Sequence, residues 1–219
     1  MAVTAVVAML IYAVLWIGWM QNWTWLAVAD QRMLDAGQSG SARYPQWASV
    51  WNWFCTLLGP IAFRIIGLGI IIALLVRRHF HDALFVFISV ELSGVVIEIA
   101  KRTADRPRPG TRMADPYGSS FPSGHALGVL VSVLALLTLF WPTIPAHWRR
   151  PLAALGAFVV IAIGVGRVAL NVHHPSDVLA GWALGYAYFV LCLAVVRTTV
   201  GRPEESDTAQ QNSRIRSRR

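Results

Sequence analysis

Charge is scarce in this chain, and negative charge scarcest: 14% of its 219 residues are Asp, Glu, Lys or Arg, with 11 acidic side chains against 19 basic ones. A soluble domain carries about 25% charged residues. Here 56% of the residues are hydrophobic and the mean hydropathy is +0.52, which excludes an ordinary soluble globule and points to a membrane. Cysteine is nearly missing too. Cys55 and Cys192 fall near opposite ends of their apolar runs, separated in depth by about 15 Å at 1.5 Å per residue, which argues against a disulfide or a thiolate metal site.

The formal charge of +8 would suggest a nucleic-acid binder in a soluble protein. The basic residues, however, sit at the ends of apolar runs and in the last six positions, Arg214, Arg216, Arg218 and Arg219 among them. That distribution sets orientation in a bilayer and contacts anionic lipid headgroups; no nucleic-acid partner is expected.

Six apolar runs are long enough to cross a hydrocarbon layer of about 30 Å: Val3–Met20, Phe54–Val76, Ala83–Ala100, Ala126–Trp141, Leu152–Leu170 and Val178–Val196. The expected fold is all-α, a bundle of six transmembrane helices. Arg77–Arg78, Arg149–Arg150 and the tail from Arg197 follow the second, fourth and sixth runs. Positive charge marks the cytoplasmic side, so both termini are expected there, in the plasma membrane. The first run has a competing reading as a signal peptide, since Ala27-Val28-Ala29 resembles a cleavage site. It lacks a basic residue before the apolar stretch and carries Trp16 and Trp19, which favours a retained helix. Seven of the ten tryptophans flank the first outer loop, which is expected on or in the outer interface. Residues 1–197 form the expected membrane domain, and 198–219 a polar, basic tail, disordered after Gly201 because it cannot bury enough apolar area to fold.

Charged and polar residues are costly in a membrane, so clusters of them at helix ends need a reason. Three such clusters exist. Lys101 to Pro109 closes the third run, Ser120-Phe-Pro-Ser123-Gly124-His125 opens the fourth, and Arg167 to Asp177 joins the fifth and sixth. Helix parity places all three on the non-cytoplasmic side, so Lys101, Arg108, Arg167, His125, His173, His174 and Asp177 share one rim. Three cations suit a phosphoryl group, whose charge spreads over three equatorial oxygens. Pro122 to His125 sits where a helix N-terminus offers free N–H groups, and Gly124 allows close approach. His173 and Asp177 are four apart, so the carboxylate can hold one ring nitrogen and free the other as a nucleophile, with His125 available to protonate a leaving oxygen. His174 competes for that role, with a spacing to Asp177 that matches less well.

At these residues the chain resembles the type 2 phosphatidic acid phosphatase family, the lipid phosphate phosphatase superfamily. Lys101 followed after six residues by Arg108-Pro109, then Pro122-Ser123-Gly124-His125, then Arg167, His173 and Asp177 match its three motifs in order and spacing. The resemblance implies that His173 attacks phosphorus to form phosphohistidine, Asp177 orients it and His125 is the general acid. Lys101, Arg108, Ser123, Gly124 and Arg167 then hold the phosphate oxygens, and no metal or other cofactor is implied. The implied substrate is a membrane lipid phosphate or diphosphate: a polyprenyl diphosphate, phosphatidylglycerol phosphate or phosphatidic acid. Gly166 departs from the pattern, where the family usually has serine. Sequence leaves three rivals: a lipid phosphotransferase using the same site, a vanadate-type haloperoxidase, which six spans disfavour, and a lipid transporter. It does not define the oligomeric state.

Outside the motifs, Arg102, Arg106 and Arg112 read as solvated loop charges near the site mouth, with the attraction of anionic headgroups as the competing reading, and Asp105 reads as a loop or capping residue. Arg64, with Glu91 and Glu98 at similar depth, is expected to form an internal ion pair. Glu98 has a second reading as a group that tunes Lys101.

Overall fold

The computed structural model describes residues 1–115 and 118–200, the side chains of 197–200 excepted. It is all-helical among the described residues: α1 (Ala2–Met20), α2 (Thr24–Arg43), α3 (Trp47–Leu57), α4 (Pro60–Val76), α5 (Phe80–Val86), α6 (Ser93–Ala104), α7 (Gly124–Phe140), α8 (Ala146–Ala169) and α9 (Pro175–Val200). A π-helical turn, Phe87–Glu91, joins α5 to α6. Five segments are long and apolar enough to cross a membrane: Ala2–Met20, Trp47–Val76, Phe80–Ala104, Ala146–Ala169 and Pro175–Val196. The chain is therefore a multi-pass membrane protein. The sixth expected span, α7, has 17 residues, about 26 Å at the helical rise.

The short helix is also well enclosed. Ala126, Leu127, Gly128, Val129, Val131, Ser132, Val133 and Ala135 are all buried, so α7 touches its neighbours on several faces. Helices α4, α6, α8 and α9 surround it. A helix buried in protein does not have to match the hydrocarbon thickness by itself. Small residues bring the partners close: a Cβ at Gly181 of α9 would lie 2.6 Å from Ser123 O at the head of α7. By contrast, α1 keeps Val3, Val6, Leu10 and Val14 exposed and packs one side along α9, as expected where the solvent is lipid.

Two elements differ from the sequence reading. The segment between the first two apolar runs, expected as an outer loop, is mostly helix. In α2 the buried residues are Leu26, Asp30, Leu34 and Gly37, spaced three or four apart, so a single stripe lies against α8 and α9. The second apolar run is split into α3 and α4 at Gly59, where no side chain would fit, since a Cβ would lie only 2.3 Å from Cys55 O of α3. Pro60 follows at the first position of α4. At the other end of the chain, α9 continues to Val200; the tail expected to be disordered after Gly201 lies outside the described residues.

Candidate active site

Each of the three polar clusters owes its place to how a helix ends. Helix α6 stops at Asp105, in the left-handed region at φ 40°, whose N–H bonds Lys101 O at 3.0 Å, the capping role read for it. Helix α7 starts at Ser123, whose side chain accepts from Ala126 N. Helix α8 ends by feeding Arg167 O to the N–H groups of Val172 and His173 at 3.2 and 3.3 Å. One direct bond ties two of these ends together, Ser123 N to Asp177 O at 2.9 Å.

The cations converge on the two histidines. Arg108 donates through Nε to Gly118 O at 2.9 Å and through a terminal nitrogen to Val172 O at 2.8 Å, and the same nitrogen lies 3.2 Å from His173 Nε2. Burial and the neighbouring Arg167 lower Arg108 to about 10, which leaves it charged at neutral pH. Lys101 Nζ donates to Ser119 O. Arg167 is buried beside the Cys55 thiol, and its Nε has no hydrogen-bond partner among the described residues. A buried guanidinium nitrogen left without an acceptor is costly, and an anionic ligand would satisfy it. His125 lies within electrostatic reach of Arg167, His173, Arg108 and Lys101. Gly124 opens the cradle: a Cβ there would sit 3.3 Å from Ile97 and 4.0 Å from Lys101 Cε.

His173 is buried, with Nδ1 3.6 Å from Asp177 Oδ2 and no hydrogen-bond partner for that nitrogen among the described residues. The separation is just beyond hydrogen-bond length. His174 Nδ1 is nearer to the same oxygen, at 3.2 Å, and the His174 backbone N–H donates to it at 2.8 Å. Asp177 thus engages both histidines, but the contact with Arg108 falls to His173. Burial lowers the His173 pKa to about 3 even though Asp177 opposes the shift, so the ring is neutral at physiological pH with a lone pair available.

The solvated-loop reading of Arg106 is overturned. Its guanidinium is buried, 2.6 Å from Asp177 Oδ1 and 2.8 Å from Asp30 Oδ2. Sequence reasoning passed over Asp30 and gave no role to Ser120 and Ser176, which lie within its polar clusters; all three are buried and bonded to this network. A signal did exist for Asp30, a lone carboxylate in the apolar stripe of an amphipathic helix. Arg112, by contrast, pairs with the exposed Asp115 at 3.4 Å as a loop charge would. Arg64 pairs with Glu91 at 3.2 Å, but its side chain is 46% exposed, so the pair sits on the bundle's flank rather than inside it. Glu98 turns to Arg102 at 2.8 Å.

A multi-pass helical membrane protein that gathers three cations and two histidines where its helices end defines the class. The chain belongs to the PAP2 superfamily, whose pattern matches residues 82–200. It is 34% identical over 130 residues to a lipid A 1-phosphatase of Rhizobium johnstonii, covering 53% of this chain and 48% of that one. It is 27% identical over 131 residues to phosphatidylglycerophosphatase B of Bacillus subtilis, covering 58% and 62%. With an undecaprenyl-diphosphatase of Sulfolobus acidocaldarius it shares 32% over 119 residues, 51% and 54%. The chain thus spans about half to three fifths of the length of these relatives. Its fold is similar to the crystal structure of a transmembrane PAP2-type phosphatidylglycerolphosphate phosphatase from Bacillus subtilis, with a TM-score of 0.73 and 22% identity over 91% of this chain and 98% of that one.

Proposed function

We propose that this protein is a metal-independent lipid phosphatase that cleaves a lipid phosphate or diphosphate through a phosphohistidine on His173. The observation that carries the reading is His173 itself: neutral, buried, with Nε2 beside Arg108 and Nδ1 facing Asp177. The Nε2 lone pair forms a bond to phosphorus as the bond to the leaving oxygen breaks, and Asp177 stabilises the positive charge that develops on the ring. Lys101, Arg108 and Arg167, with Ser123 and the Gly124 N–H, hold the equatorial oxygens. His125 gives a proton to the leaving oxygen; water then cleaves the P–N bond and releases inorganic phosphate. Six helices span the plasma membrane in this reading, with the termini in the cytoplasm and the site at the outer rim, where the headgroup is reached while the apolar chain stays among the helices.

The test is metal-free phosphate release by detergent-purified protein from undecaprenyl diphosphate, phosphatidylglycerol phosphate, phosphatidic acid and lipid A 1-phosphate. Release from at least one lipid, abolished by His173→Ala and retained in His174→Ala, is the expected result and ranks the substrates. A folded wild type that releases phosphate from none of them refutes the reading.

A further inference from the structure

Two buried charges have no part in the chemistry above. Arg106 lies in the loop after α6, under the Trp19 ring at 4.7 Å, and its two terminal nitrogens go to different carboxylates, Asp177 of α9 and Asp30 of α2. Asp30 does more than balance it. One carboxylate oxygen accepts the Ser176 backbone N–H at 2.9 Å and the other accepts the Ser176 hydroxyl at 2.6 Å, while Arg106 also donates to that hydroxyl at 2.7 Å. A carboxylate from α2 therefore caps the first turn of α9, where N–H groups have no intrahelical partner. Asp177 is the next residue of that turn.

Asp177 has two sides. Oδ1 is fixed by Arg106, and Oδ2 faces both histidines and Ser120. Two carboxylates around one guanidinium leave a net negative charge beside His173. Without Asp30, Arg106 would neutralise Asp177 fully, and the carboxylate would do less for a ring gaining positive charge.

We propose that Asp30 and Arg106 are positioning residues for the reaction: they fix the first turn of α9 so that Asp177 Oδ2 stays aimed at His173, and Asp30 keeps the cluster negative. The proposal rests on the reading of His173 as nucleophile. It makes α2 part of the apparatus that positions Asp177, without touching substrate.

The experiment compares Asp30→Asn, Arg106→Gln, the double variant Asp30→Asn/Arg106→Gln and the exposed control Arg102→Gln, in detergent, on a lipid that the wild type hydrolyses. In the first two, kcat should fall about 10- to 100-fold. KM and the inhibition constant of inorganic phosphate should stay within about twofold, because the three cradle cations are untouched. The double variant should be no slower than the slower single one, and Arg102→Gln should match wild type. Unchanged kcat in Asp30→Asn overturns the proposal. So does a rise of KM and the phosphate constant in step with the fall in kcat, or loss of folding in both single variants, since either makes the cluster a structural clamp. Full activity in His173→Ala would instead remove the nucleophile reading, and this inference with it.

Discussion

Replacing Gly166 with serine would put a Cβ 2.7 Å from Cys55 Sγ and 2.7 Å from Trp51 Cε3, closer than real Cβ contacts come. Neither neighbour is the free end of a flexible chain. Cys55 is buried in α3, and Trp51 packs edge-on against both Trp47 and Phe54. The clash therefore has to be relieved by moving α3 away from α8, and overpacking of this kind costs about 1–3 kcal/mol. For a chain of this size each kcal/mol lowers the melting temperature by about 2–4 °C, so Gly166→Ser should melt on the order of 3–10 °C lower. The next residue is Arg167, beside the Cys55 thiol, so the shift should also lower kcat/KM. Adding Cys55→Ala removes one of the two clashes and should recover part of the melting temperature. Melting curves and phosphate release in detergent provide the assay. A Gly166→Ser protein that melts within about 1 °C of wild type would refute the packing account, because relief at no cost contradicts a close-packed contact.

Arg167→Gln keeps the hydrogen-bonding ability of the side chain and removes its charge from the cradle; kcat/KM should fall about 100- to 1,000-fold with little change in folding, read from initial rates. His173 gives a pH signature. Its folded pKa of about 3 lies below the ordinary 6.5, so above pH 6.5 neither state binds the proton and stability is complete. Below that the unfolded chain alone takes it up, and stability falls until about pH 3. Relative to His173→Asn, wild type should lose about 2 kcal/mol between pH 7 and pH 5, and parallel melting curves would contradict this. Trp47→Phe removes the indole donor to Ala169 O at 2.9 Å and should destabilise the protein by about 0.5–1.5 kcal/mol.

The apolar runs were legible because each helix in a bilayer must satisfy its own backbone and present apolar side chains around most of its surface, a property written in consecutive residues. The loop between the first two runs was less legible. Its α2 alternates polar and apolar residues at helical spacing, and its stability comes from laying one stripe on α8 and α9, a contact with partners more than a hundred residues away.

The same division runs through the site. Sequence by itself grouped Lys101, Arg108, His125, Arg167, His173 and Asp177 through the expected parity of the apolar runs, and the structure brings them together where helices end. Only tertiary structure decided which atoms face which. It placed Asp177 against both His173 and His174, turned the Arg106 side chain inward into a buried bridge to Asp30, and left Arg64 on the flank with Glu91. The reason is physical. Depth in a membrane follows from position along the chain at a fixed rise per residue, whereas an ion pair depends on the rotation and approach of separate helices, which packing alone sets.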